Sequence, residues 1–292
     1  MRLPAGESGR QPRCADASAA ARIIGPMLLA IDAGNSTLTA ALAAERDLAA
    51  AVEPGRCRHA ATPERATADE MELLLNGLLG LDGHGLGDVT RVVLASVVPQ
   101  VSTAVAAVAT RRHLPFLEAS AATVPLAVHV DRPAEVGADR LVNALAAARL
   151  HGTPAIVVDI GTATTVDAVG ADGAFLGGAI AAGPQLSLDA LAWRTAKLPH
   201  VELGGSPRAI GRDTVEALRS GAVYGQAGAV AELVSRVRGE LATLAQGRRP
   251  VVVLTGGGSR LSWAADIPGV DVVDPDLTLR GLLVLAAEGR WS

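Results

Sequence analysis

LLAIDAGNST at residues 28–37 and AIVVDIGTATT at residues 155–165 are two versions of one phrase. Asp32 aligns with Asp159, Gly34 with Gly161 and Asn35 with Thr162. Each version passes from aliphatic residues through one aspartate and one glycine to small amide or hydroxyl residues. The aliphatic run reads as a buried strand and the glycine-centred segment as the turn that ends it. A phrase repeated at domain spacing predicts one architecture built twice and facing itself across a cleft. Each copy sets a carboxylate at a strand end, beside backbone N–H and hydroxyl donors. Such an arrangement suits nucleotide phosphates held together with a cation.

Outward from these phrases, strand and helix signals alternate. Before residue 150, strands are predicted at 27–31, 38–43, 91–98, 114–118 and 126–130, and helices at 67–79, 99–110 and 137–150. The aspartates fall in the predicted turns 32–36 and 159–162. After 150, strands are predicted at 155–158, 166–169, 174–180, 250–255 and 270–273, with Asp172-Gly173 as a hairpin signal. Helices are predicted from 186, over 213–246 with a glycine-rich stretch at 221–228 that offers a break, and over 277–288. The sum is an α/β fold of mixed sheets flanked by helices, in two related lobes, 27–150 and 151–292, with a cleft between them. Residues 1–26 carry Arg2, Arg10, Arg13 and Arg22 among small residues and lack the continuous apolar run of a signal peptide. They are expected to be a disordered lead-in.

Composition narrows the function. Apolar residues at 49% and charged residues at 19% describe a soluble globular chain rather than a disordered one. A net charge of −4 gives no reason to expect nucleic acid, and 2% aromatic residues leave few platforms for stacking bases. Cys14 and Cys57 fit neither a zinc nor a redox spacing, which points to a reducing, cytoplasmic compartment. The uncharged run 92–110 contains Pro99, Gln100, Ser102 and Thr103 and reads as a buried strand and helix, not a membrane span. Lys197 is the one lysine, and no G-x-x-x-x-G-K-[ST] occurs, so a P-loop is excluded.

Four motifs carry chemistry. In the first phrase Gly34 permits close approach of a ligand, Asn35, Ser36 and Thr37 offer donors, and Asp32 can orient hydrated magnesium. In the second, Thr162, Thr164 and Thr165 follow Asp159, while Asp167 reads as a structural or exposed strand residue rather than a ligand. Gly256-Gly257-Gly258 after the strand VVVLT would let a flat ring lie on backbone, or would simply make a flexible turn. Gly137-Ala138-Asp139-Arg140 opens a helix. Asp139 there suits the helix dipole, and Arg140 can hold a carboxylate with two hydrogen bonds.

The order of these motifs resembles that of type III pantothenate kinases, the Bvg accessory factor family, within the acetate kinase, sugar kinase and actin superfamily. ASVVP at 95–99, RPAEVGADR at 132–140, GGAI at 177–180, RTAKLP at 194–199 and IGRDTVEALRSGAVYG at 210–225 extend the likeness. It departs at Asp213 and Ala182, where many relatives have Asn and Pro, and at 129–131, which lacks a tyrosine.

The resemblance implies two ribonuclease H-like (actin-like ATPase) lobes and ATP-dependent phosphorylation of pantothenate. Asp32, Ala33, Gly34, Asn35, Ser36, Thr37, Leu38 and Thr39, together with Thr162, would bind ATP. Gly137, Ala138, Asp139, Arg140 and Thr214 would bind pantothenate, with Asp139 accepting the hydroxyl proton. Asp159 would hold a monovalent cation, potassium or ammonium. Magnesium and a homodimer are implied as well, and neither membrane nor nucleic acid. Another small-molecule kinase or phosphatase of the superfamily would keep Asp32, Asp159 and the glycine turn without needing G-A-D-R or I-G-R-D-T. A non-catalytic accessory or regulatory factor would bind nucleotide without turnover.

Overall fold

The computed structural model describes residues 25–45, 53–205, 207–244 and 247–291. The predicted lead-in lies outside these residues up to position 24, as do the last two positions of the predicted helix 213–246. Strands β1 (Met27–Ala33), β2 (Thr37–Ala44), β3 (Arg58–Ala61), β4 (Val89–Ser96) and β5 (Phe116–Glu118) form one sheet in the order β3-β2-β1-β4-β5. Strands β6 (Ala155–Ile160), β7 (Ala163–Val169), β8 (Phe175–Ala182), β9 (Val251–Thr255) and β10 (Val272–Val273) form a second sheet in the order β10-β9-β6-β7-β8. The topologies match. In each sheet the first strand turns back antiparallel into a three-strand meander, and the last two strands add parallel on its other side.

Both faces of β1 and β6 are covered, which is why their sequences read as continuous aliphatic runs. Leu28 and Ala30 point into a central layer that Ala155 and Val157 enter from the second sheet. Leu29 and Ile31 point outward against α1 (Ala68–Gly80) and α2 (Pro99–Arg111). Ile156, Val158 and Ile160 point outward against α5 (Thr214–Leu244), onto which α4 (Pro184–Arg194) packs. Helices α3 (Ala138–Ala146) and α6 (Leu277–Glu288) fill the central layer between the sheets. Each follows the last strand of its repeat, so they are equivalents in the doubled plan.

Local sequence explains the ends of these elements. Thr67 and Glu70 form a reciprocal capping box at the start of α1. Pro99 and Pro184 occupy the first positions of α2 and α4, where a missing N–H costs nothing. Helix α5 runs unbroken through the glycine-rich stretch, because Val223, Val230 and Val234 bury against the second sheet. That packing outweighs a glycine cost of about 1 kcal/mol per residue.

Several expectations are corrected. β1 and β6 run through both aspartates to Ala33 and Ile160, since Asp32 pairs with Thr39 and Asp159 with Thr165 in the ladders. The acids therefore stand on strand ends, as the paired phrases imply, and the turns begin after them rather than at 32 and 159. Segment 126–130 makes a single bridge, Val128 with Phe175, and lines the second sheet without joining it. α3 ends at Ala146 and continues as a π turn, Ala147–His151, which stops at Gly152 with φ 98°. β3, with alternate half-exposed residues, was not anticipated.

α3 and α6 approach closely at Gly281, where a Cβ would stand 2.4 Å from the carbonyl oxygen of Val142. Gly281→Ala is therefore expected to lower the unfolding free energy by about 1–3 kcal/mol through overpacking, despite alanine's better helix propensity. Urea denaturation measures this. A neutral or stabilised variant would show that the two helices do not meet there.

Candidate functional site

The central layer is apolar at one end and acidic at the other. Asp32 continues the inward face of Leu28 and Ala30, and Asp159 that of Ala155 and Val157. The strand ends of the two repeats thus turn their carboxylates into one shared layer. Asp139, in the first turn of α3, joins them and contributes to the raised pKa of both. Burial, then the charges of Asp139 and Asp159, push Asp32 up to about 8. Burial and the Asp139 charge push Asp159 up to about 7, against the opposing hydrogen bond from Asn143. Asp139 is also raised by burial, while the backbone N–H and the charge of Arg140 pull it down.

Arg140 does not neutralise this group. Its Nε lies 3.0 Å from Oδ1 of Asp167, its Nη2 bonds the same carboxylate, and its guanidinium covers the Phe175 ring. Asp167 is buried, and burial raises its pKa to about 6 despite the Arg140 bonds. Asp32, Asp139 and Asp159 form no ion pair among the described residues. Asn143 Nδ2 donates to Asp159 at 2.9 Å, and Asn143 Oδ1 accepts from Thr278 at 2.8 Å.

Two turns border the acids. In the first, Gly34 N–H donates to Thr37 at 3.0 Å, and Thr62 braces the turn through Gly34 O at 2.7 Å. In the second, Gly161 N–H donates to Ala163 at 2.9 Å. The Ser36 and Thr162 hydroxyls meet across the repeats at 3.0 Å. Behind the second turn, a Cβ at Gly183 would come 2.1 Å from Gly161 O, and one at Gly256, with φ 84°, would come 2.1 Å from Asp159 Oδ1. Glycine at both places is dictated by contact with the turn and the acid.

Across the second sheet Thr165, Asp159 and Thr255 are direct ladder partners, and their side chains share one face. The buried hydroxyl of Thr255 makes no hydrogen bond, and that of Thr165 lies beside the Asp167 carboxylate, whose charged form it favours. A buried unpaired oxygen is costly, so the Thr255 hydroxyl beside an uncompensated carboxylate, with the Thr165 oxygen on the same face, fits a hard cation. Among the described residues no group of three or more His, Cys, Asp or Glu side chains holds a metal by itself. An ion here would draw further oxygens from phosphates, hydroxyls or water.

Comparison with known proteins gives this geometry a family. The family model for type III pantothenate kinase matches residues 28–236. A type III pantothenate kinase of Moorella thermoacetica is 40% identical over 262 residues, covering 89% of this chain and 98% of that protein. One of Rhodococcus jostii is 44% identical over 262 residues, covering 88% of this chain and 93% of that protein. The chain belongs to the type III pantothenate kinase family. Solved structures agree on the fold. A Baf family transcriptional activator from Campylobacter jejuni superposes with TM-score 0.54 at 17% identity over 89% of this chain and 98% of its own. An ethanolamine utilization protein from Carboxydothermus hydrogenoformans gives 0.52 at 15% identity, covering 90% and 91%. The shared architecture is the pair of mixed five-stranded sheets flanked by helices.

The structure brings together most of the residues the family resemblance singles out. Asp32 and Ala33 end β1, Gly34, Asn35 and Ser36 form the turn, and Thr37, Leu38 and Thr39 begin β2. Leu38 is fully buried in the outer core, so only its backbone is available to a ligand. Gly137 caps α3, Ala138 packs into the central core, and Asp139 and Arg140 follow. Thr214 stands apart, exposed at the start of α5 and without a hydrogen bond to the acids.

Sequence reading missed Asn143, Phe175, Thr255 and Thr62. Asn143 left a trace: it lies one helical turn after Asp139, alone among alanines and leucines. The other three act through tertiary contacts.

The unfolded Asp159 carboxylate ionises near 3.8, whereas the folded one does so near 7. The stability this shift contributes is present below the lower value and lost as pH rises through the upper one. Without ions or nucleotide, unfolding free energy should fall from about pH 4 to about pH 7 on this account. Asp159→Asn should flatten that slope, as read by chemical denaturation at each pH. An unchanged slope would show that burial of Asp159 is not felt.

Proposed function

We propose that this chain phosphorylates pantothenate with ATP, giving 4'-phosphopantothenate and so opening coenzyme A synthesis in the cytoplasm. The observation that carries the reading is the convergence of Asp32, Asp159 and Asp139 from β1, β6 and α3 on one recessed place, in a chain of this family. The two turns supply backbone and hydroxyl donors where a P-loop enzyme would use its lysine. No described helix is long and apolar enough to cross a membrane.

In this reading residues 32–39 and Thr162 cradle the ATP phosphates. The Ser36–Thr162 contact gives way to bonds with them. Asp32 orients hydrated magnesium. Asp159, with Thr165 and Thr255 beside it, holds potassium or ammonium. These ions offset phosphate charge, since phosphoryl transfer rests on positioning and charge stabilisation. Gly137 to Arg140 line the pantothenate site, with Arg140 set to bind the substrate carboxylate. Asp139 accepts the proton of the attacking hydroxyl, and a pKa raised by burial strengthens it as a base.

The chain works as a homodimer in this proposal. Ile180 on β8, Trp193 on α4 and Ile210 before α5 are 64%, 81% and 83% exposed, apolar side chains of the kind a second copy would cover. Thr214 is exposed four residues after Ile210, and pairing there would bring it to the pantothenate site of the other copy.

Incubation with ATP and pantothenate, followed by detection of the phosphorylated product, tests the reaction. Asp139→Asn is expected to lower kcat by about 10²–10⁴-fold while nucleotide affinity holds. Native turnover in that variant would remove Asp139 as the base. Exchange of potassium for sodium should depress the rate in the wild type, and equal rates in the two salts would remove the role given to Asp159.

A further inference from the structure

The side chain proposed to grip the substrate is already held on two sides. Arg140 Nε reaches Asp167 Oδ1 at 3.0 Å and Oδ2 at 3.2 Å, and Nη2 bonds Oδ1 as well. The guanidinium carbon lies 5.4 Å from the centre of the Phe175 ring. Nη1 makes no hydrogen bond to a described residue. Asp167 and Phe175 are themselves enclosed: Asp167 is 1% exposed and Phe175 fully buried. Room for the carboxylate comes from Gly178, its ladder partner on β8, where a Cβ would stand 2.5 Å from Asp167 Oδ1.

We propose that Asp167 and Phe175 are positioning residues, which fix the Arg140 guanidinium by its Nε–Nη2 edge and its face so that its Nη1–Nη2 end is offered to the pantothenate carboxylate. This rests on the reading of Arg140 as a substrate ligand. A guanidinium has two usable edges, and an arginine anchored by one presents the other without losing rotamer freedom on binding. Asp167 also keeps the cation away from the acids. Released, Arg140 would be drawn to Asp139 and Asp159, the nearest uncompensated charges, and would weaken the base.

The test is steady-state kinetics of the full chain, with pantothenate and ATP varied separately. Arg140→Gln, Arg140→Lys and Asp167→Asn are compared with the wild type. Asp167→Asn is expected to raise the KM for pantothenate about tenfold, as loss of a charged hydrogen bond implies, with the KM for ATP within about twofold. The acid limb of its pH profile should move to lower pH, because Arg140 then favours the charged form of Asp139. Arg140→Lys should raise the pantothenate KM as much as Arg140→Gln, since an ammonium has no second edge.

An unchanged pantothenate KM in Arg140→Gln would overturn Arg140 as a substrate ligand, and the positioning role with it. A raised KM in Arg140→Gln that Arg140→Lys restores would overturn the positioning role alone. So would a pantothenate KM unmoved in Asp167→Asn, or a loss in kcat with both KM values intact, the mark of a purely structural residue. Should Asp167→Asn fail to fold, shown by loss of nucleotide binding, the lysine comparison decides by itself.

Discussion

Everything in this molecule is arranged around three carboxylates that repel one another. Asp32, Asp139 and Asp159 come from a strand of each sheet and from the helix between them. Burial holds all three above the ordinary aspartate range, and neighbouring carboxylate charge adds to it at Asp32 and Asp159. The cost of keeping such charges out of water is high, and a fold selected for stability alone would have placed Arg140 among them. Instead that arginine is turned to Asp167. The acids are left for something that binds, and the rest of the fold supports that deficit. The apolar end of the central layer supplies the cohesion, and the doubled topology makes two strand ends meet.

Doubling gives symmetry of backbone but not of chemistry. The row across the first sheet is Thr39, Asp32 and Ala95, and the corresponding row across the second is Thr165, Asp159 and Thr255. Thr39 has a partner in His59 at 3.0 Å, while in the second row Thr255 has none and Thr165 turns to Asp167. The first turn is the longer and is braced from outside by Thr62. The second is backed by close-packed glycines instead. One repeat has become a cradle of backbone donors and the other a nest of oxygens, a division of labour consistent with phosphate on one side and a cation on the other.

The sequence showed this plan unevenly. The paired phrases were legible because buried strands need continuous aliphatic runs on both faces, and few other elements do. Helices α1, α2, α3 and α6 followed from spacing and caps. β3 was invisible, since four residues with alternating exposure carry too little pattern. The continuity of α5 was hidden as well: its glycines signal a break locally, and only the valines packed on the second sheet overrule them. Asp167 read as structural or exposed, and it is the first: it is buried in an ion pair. Yet no local signal could tell that its partner would be Arg140, which is distant in sequence and brought near by the fold.

The glycine-rich turn shows where such reading misleads. Three consecutive glycines invite a nucleoside reading, because bare backbone accommodates a flat ring. Here Gly256 is bare because Asp159 touches it, and Gly258 because the Ile160 side chain does, with a Cβ there only 2.3 Å away. Only Gly257 faces open space. Two of the three are thus required to seat β9 and its turn against the end of β6, whether or not a ligand arrives. Their contribution to function runs through Asp159: with any larger residue at 256, that carboxylate would have to move. Glycine here signals the precision with which the acid is placed, and what the acid is placed for must be read from the carboxylates themselves.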